Sequence, residues 1–185
     1  MRWPLGLGVA GILVLAGLGQ GQGPAARVKT DAPFKPTPPE VVARMLDLAE
    51  IRPDDVLYDL GCGDGRIVIE AAKRFGIKAV GFDIDPARVR ESRENVAKAG
   101  LGDLVTIRQG DIFQADLTGA SVVALYLLPN LNVRLMPQLA RLKPGSRIVS
   151  NSFGMKGARP AKMVKVPQDR GLRVVYLWVV PWAAE

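Results

Sequence analysis

Four aspartates, a run of glycines and one tyrosine are the groups in this chain best placed to do chemistry. The densest cluster is Asp55-Val56-Leu57-Tyr58-Asp59-Leu60-Gly61-Cys62-Gly63-Asp64-Gly65. It reads as a buried strand running into a glycine loop that opens a helix. Such a turn makes a nucleotide cradle, because missing Cβ atoms let the backbone approach a ligand closely. The acids select the ligand. A dinucleotide pyrophosphate is anionic and seeks free N–H groups at the helix start. Asp59 at the strand end and Asp64 inside the loop would repel it. The dinucleotide fingerprint also needs a glycine or alanine where this chain has Arg66. The spacing is instead Asp-x-Gly-x-Gly-x-Gly, with a carboxylate in the last gap. A ligand with an ammonium and a sulfonium, S-adenosylmethionine (SAM), suits these charges.

Further acids follow later strand signals. Asp83 ends Val80-Gly81-Phe82-Asp83, where a carboxylate can accept both ribose hydroxyls. Asp85, just before Pro86, suits a helix N-cap better. In Gly110-Asp111-Ile112-Phe113, Asp111 can accept from an adenine amine while Ile112 or Phe113 covers a ring face. Leu125-Tyr126-Leu127-Leu128-Pro129-Asn130 is where a methyl acceptor should lie. Methyl transfer is an in-line displacement that depends on holding two partners at reacting distance. An amine acceptor must first lose its proton, and desolvation favours that loss. Tyr126 can serve as a hydrogen-bond partner or as an aromatic face toward an ammonium; its other reading is sheet packing.

These residues need a scaffold of alternating strands and helices. Residues 40–51 have helical apolar spacing. Strands are expected at 56–60, 78–82, 105–108, 122–127 and 147–150, with helices at 65–75, 86–99 and 130–142. Pro137 should kink or split the last helix. Residues 162–166 and 173–180 read as a closing pair. Alternation of this kind predicts an α/β fold, a doubly wound and mostly parallel sheet with helices on both faces. Ligands then bind beyond the carboxyl ends of the strands, where all the residues above fall.

The chain has 185 residues, 48% apolar and 23% charged, enough for one domain with a real core. A single cysteine, Cys62, excludes an intrachain disulfide, and the absence of histidine excludes Ser-His-Asp and Cys-His catalysis and the usual zinc sites. No metal is expected. Cys62 reads as a small packing residue of the glycine loop. The net charge of +7 permits nucleic-acid or anionic-membrane contact without establishing it. Lys156, Arg159, Lys162, Lys165, Arg170 and Arg173 face only Asp169 in their stretch. Without interleaved aromatics this reads as a solvated face, or as a surface for an acidic partner, rather than a nucleic-acid platform.

Residues 3–19 form an apolar run after Arg2. It suits an N-terminal anchor or a signal-peptide core. Arg27, Lys29 and Lys35 outnumber the basic groups before it, which favours an uncleaved anchor with the domain cytoplasmic. A cleaved signal peptide with an exported domain is the alternative. The expected organisation is a hydrophobic segment over 1–24, a proline-rich linker over 25–39 and one domain over 40–185.

Between residues 36 and 153 the chain resembles the class I (seven-strand) SAM-dependent methyltransferases. More narrowly, it resembles the small protein-lysine methyltransferases of archaea and mitochondria and their bacterial relatives. The likeness rests on Pro36-Thr37-Pro38, the glycine loop through Ile67, Phe82-Asp83-Ile84-Asp85, Gly110-Asp111-Ile112-Phe113, Tyr126-Leu127-Leu128-Pro129 and Lys143-Pro144-Gly145-Ser146-Arg147-Ile148-Val149-Ser150. It implies a seven-stranded sheet with an antiparallel closing strand, and SAM as methyl donor. It places Asp59, Gly61, Gly63 and Asp64 on the methionine part, Asp83 on ribose and Asp111 near adenine. Cys62, Ile84 and Ile112 lie in the same cofactor segments. It also implies that residues 36–38 fold over the cofactor, making Thr37 a pocket candidate beside Tyr126. The implied acceptor is an amine nitrogen, most readily a protein lysine; a small membrane-associated acceptor and a non-catalytic SAM-binding module are the alternatives. The Asn-Pro-Pro-Tyr type signature of amino methylation on bases or glutamine is absent, so nucleic acid is not the expected partner. After Ser150 such relatives tend to carry histidine and then tryptophan, whereas this chain has Asn151-Ser152-Phe153 and no tryptophan before Trp178.

Overall fold

The structure, a computed structural model, describes residues 34–169 and 171–185. The apolar run at 3–19 and most of the expected linker lie outside the described residues. Among the described residues no helix is long and apolar enough to cross a membrane.

The elements run α1 Pro39–Leu48, β1 Val56–Leu60, α2 Arg66–Phe75, β2 Lys78–Asp83, α3 Pro86–Lys98, β3 Val105–Gln109, β4 Val122–Leu125, α4 Pro129–Leu139, β5 Arg147–Asn151, β6 Lys162–Gln168 and β7 Gly171–Val179. They build one seven-stranded sheet of order β3-β2-β1-β4-β5-β7-β6. The first five strands pair in parallel. Strand β7 inserts antiparallel between β5 and β6. The order reverses between β1 and β4, so the crevice for a ligand opens beyond the ends of those two strands.

Local chemistry explains most boundaries. Asp85 caps α3 by accepting from the Ala87 amide at 2.8 Å, and Pro86 takes the first turn, where its missing N–H does no harm. Gly76 ends α2 in the left-handed conformation. Pro39 belongs to α1 rather than to the linker. Strand β4 stops at Leu125, two residues before the expected end, and Tyr126 and Leu127 turn into the crevice. Leu128 is extended because it precedes a proline, and Pro129 opens α4. Pro137 does not split α4; it lies in the last turn, and the helix ends two residues later.

The core has two halves, one on each face of the sheet. Val41, Met45 and Leu46 of α1 and Val68 and Ala71 of α2 cover one face. Leu131, Leu135 and Leu139 of α4 meet Leu125, Ile148 and Trp178 on the other. A buried ion pair joins the entrances of β1 and β5: Arg147 pairs with Asp55, and its other nitrogen donates to the Glu50 and Ala49 carbonyls at 2.9 and 3.1 Å. The Ser121 hydroxyl, just before β4, donates to Asp55 at 2.7 Å. Burial opposes the Asp55 charge, but these donors outweigh it and hold the carboxyl below its ordinary value. Three strands are thereby tied at the end opposite the crevice.

Candidate active site

A single cavity collects residues from every loop that follows β1 to β4. Asp59, Gly61, Cys62 and Asp64 come from β1 and its loop, Asp83 and Ile84 from the β2 end, Asp111, Ile112 and Phe113 from the loop after β3, and Tyr126 and Leu127 from the β4 end. Residues 34–37 close one side. Of the residues singled out from sequence, only Gly63 is not a direct wall, and its amide acts on one.

The loop after β1 needs its glycines. Gly63 and Gly65 have φ of +55° and +81°, which side-chain-bearing residues rarely adopt. A Cβ at Gly63 would stand 2.2 Å from the Phe34 ring, so the strap and the loop meet only because it is absent. The Gly63 amide donates to Asp83 Oδ2 at 2.8 Å, while the Asp85 amide donates to Oδ1 at 3.0 Å. Each Asp83 oxygen keeps a lone pair for a further donor such as a ribose hydroxyl.

Electrostatics set this cavity apart from the rest of the molecule. Asp59 is 2% exposed. Burial, reinforced by the neighbouring Asp83 and Asp64 charges, pushes its carboxyl up to about 8. Burial also raises Asp83. Asp64 is different: burial works against its charge, but the Arg66 guanidinium grips both its oxygens and holds it below its ordinary value. Carboxylates crowded to this degree lower their energy by taking up protons or by receiving a cation. Cys62 is buried under the same loop, and its thiol is pushed up by burial and by Asp59 and Asp83. It is therefore a packing group and a poor nucleophile.

On the β3 side, Asp111 caps its own turn, accepting from the Phe113 amide at 2.9 Å. Arg134 of α4 lies 3.6 Å over the Phe113 ring, and Gln138 of α4 donates to the Ile112 and Ala115 carbonyls, so the helix braces this wall. Ile112 and Phe113 offer a flat apolar surface with Asp111 at its edge, which fits a nucleobase. The acids at Asp59 and Asp64 fit a cationic amino-acid end, and Asp83 fits ribose. The donor set therefore suits SAM piece by piece.

Thr37 is 3% exposed, and its hydroxyl accepts from Asn151 Nδ2 at 3.4 Å. Its carbonyl accepts from Arg66 Nη1 at 2.9 Å. The Pro36-Thr37-Pro38 segment is thus fastened to the glycine loop by the residue that breaks the dinucleotide fingerprint. Tyr126 stands at the far wall, stacked on Phe153 with ring centroids 6.3 Å apart. Its hydroxyl accepts from Arg173 Nη1 at 2.7 Å. Phe34, Asn151, Ser152 and Arg173 did not stand out from sequence as site residues. Only the departure at Asn151-Ser152-Phe153 pointed to that wall.

Comparison with known proteins agrees with this chemistry. Residues 59–162 match the family described as the ANTKMT methyltransferase domain. A protein-lysine N-methyltransferase from Saccharolobus islandicus (strain REY15A) is 45% identical over 150 residues, spanning 80% of this chain and 93% of the relative. The adenine nucleotide translocase lysine N-methyltransferase of Mus musculus is 30% identical over 77% of this chain and 62% of its own. Among solved structures, an RNA methyltransferase from Salinibacter ruber in complex with S-adenosyl-L-homocysteine is 49% identical. It covers 80% of this chain and 94% of its own, with a TM-score of 0.74.

Proposed function

Because the chain belongs to the ANTKMT methyltransferase domain family, and is thus a SAM-dependent methyltransferase, we propose that its acceptor is the amine nitrogen of a protein lysine. The observation that carries this reading is the 45% identity, across nearly the whole relative, to a protein-lysine N-methyltransferase. The site supports it. Asp59, Gly61, Gly63 and Asp64 hold the methionine end of the donor, Asp83 the ribose, and Asp111 with Ile112 the adenine; Cys62 and Ile84 pack around them. Tyr126 forms the acceptor wall, and Thr37 lines the cavity and fastens the strap to the glycine loop.

The reaction needs little from the protein beyond placement. The amine lone pair forms the N–C bond as the C–S bond breaks. Bound SAM would supply the methyl group from its sulfonium, with a neutral thioether as the leaving group. The nitrogen carries the charge until water takes a proton. The buried site favours the neutral amine.

A second reading has its own support, since the 49% identical Salinibacter ruber protein is described as an RNA methyltransferase. One experiment separates the two. The purified chain is incubated with methyl-labelled SAM and a cell extract, then protein, RNA and organic-soluble fractions are counted. Label in protein, recovered as ε-N-methyl-lysine by mass spectrometry, is expected. Label confined to RNA or to the organic fraction contradicts the lysine assignment. The basic residues after the apolar run support an N-terminal membrane anchor with the domain cytoplasmic, or alternatively an exported domain. Sedimentation of the full chain with membranes, and its resistance to protease added outside the cell, distinguish these.

A further inference from the structure

Arg173, at the start of β7, has no role in the reading above, yet it lies against the acceptor wall. Its Nη1 donates to Tyr126 Oη at 2.7 Å and to Ser152 Oγ at 3.0 Å. Its guanidinium carbon stands 5.5 Å from the centre of the Tyr126 ring. Among the described residues no carboxylate pairs with it. The half-buried guanidinium is thus held by two hydroxyls at the acceptor wall and aims its planar fork at the phenol.

The arrangement is also held under tension. Ser152 has φ of +67°, a left-handed conformation that a residue with a side chain adopts only against steric strain. That turn presents its hydroxyl to Arg173 and lets it donate to Asn151 Oδ1 at 2.8 Å. Asn151 Nδ2 donates onward to Thr37 Oγ1 at 3.4 Å, and the Thr37 carbonyl receives Arg66, which grips Asp64. A continuous chain of hydrogen bonds therefore spans from Tyr126 at the acceptor wall to Asp64 at the cofactor loop.

We propose that Arg173 is a positioning residue for methyl transfer, fixing the Tyr126 phenol so that its remaining lone pair accepts an N–H from the acceptor amine. This rests on the lysine reading and extends it. A phenol oxygen has two acceptor positions. Arg173 fills one and so fixes the direction of the other. An amine that donates one N–H along that direction has its own lone pair turned away from the tyrosine, free to meet the methyl group.

A double-mutant cycle tests the role. The wild type, Arg173→Gln, Tyr126→Phe and the double variant are assayed with saturating SAM and a pool of peptides that each carry one central lysine in varied flanks. Each single substitution should lower kcat about 10- to 100-fold, the scale of a misplaced reacting group. The double variant should match Tyr126→Phe within about twofold, because Arg173 acts through that phenol. SAM affinity by calorimetry should stay within about twofold of wild type in all three. Arg173→Lys, which still donates to the phenol and guards against a fold defect in the glutamine variant, should recover part of kcat. Losses that multiply in the double variant would overturn the role, as would a rise in KM alone, which would make the guanidinium a clamp for a substrate carboxylate. No transfer to any peptide by the wild type overturns the lysine reading and this role with it, and is recognised before any variant is compared.

Discussion

The two halves of the sheet are built on different principles. The half formed by β1, β2 and β3 carries its chemistry locally: each functional residue lies at the end of a strand or a few positions after it, and the segments are parallel neighbours. The half formed by β4, β5, β7 and β6 assembles its wall from distant pieces. Tyr126 and Arg173 are 47 residues apart, and Asn151 reaches Thr37 across 114. The first half suits a cofactor that is the same in every turnover. The second suits an acceptor that differs between relatives, because antiparallel insertion of β7 lets one strand present new side chains without disturbing the glycine loop.

Breaking the join between the halves should have the largest effect. Asp55→Ala leaves Arg147 buried without its partner and should destabilise the fold by about 3–5 kcal/mol, read by chemical denaturation. Next comes the cofactor half. Asp83→Ala removes acceptors for the Gly63 and Asp85 amides as well as for ribose, and should weaken SAM binding by about 2–4 kcal/mol in calorimetry. Unchanged affinity would contradict the ribose role.

The pH dependence of Asp59 sharpens the contrast, because it belongs to the cofactor half alone. Its native carboxyl titrates near 8, against an ordinary value of 3.8. Between those values the unfolded chain has lost the proton and the native protein keeps it. Stability of the ligand-free protein is therefore fully present below pH 3.8 and is lost as pH rises towards 8. Thermal melts across that range should show the decline, and Asp59→Asn should flatten it. The smallest effect belongs to the acceptor half: Tyr126→Phe should lower kcat about tenfold or somewhat more and leave SAM affinity and melting unaltered. A variant that melts earlier, with an unaltered rate, would reduce Tyr126 to sheet packing.

The same contrast explains what could be read from sequence. The alternation of strands and helices, the glycine loop and the post-strand acids are local patterns, so Asp59, Asp64, Asp83 and Asp111 were all legible. The helix start at Pro39 and the early end of β4 were missed because propensity alone does not say where a chain must turn into a crevice. Arg173 was hidden in a basic stretch that also reads as solvent-facing. Nothing in its neighbours says that β7 slides between β5 and β6 and lays that one side chain against Tyr126. Ser152 carries no sequence mark of its left-handed backbone.

Calorimetric titration of SAM at pH 7 in two buffers of different ionisation enthalpy tests most directly whether crowded carboxylates receive a cationic donor. With Asp59 largely protonated beforehand, binding should release most of one proton, and Asp59→Asn should abolish the release and weaken binding. Equal heats in both buffers, with affinity undiminished in the variant, would contradict the account.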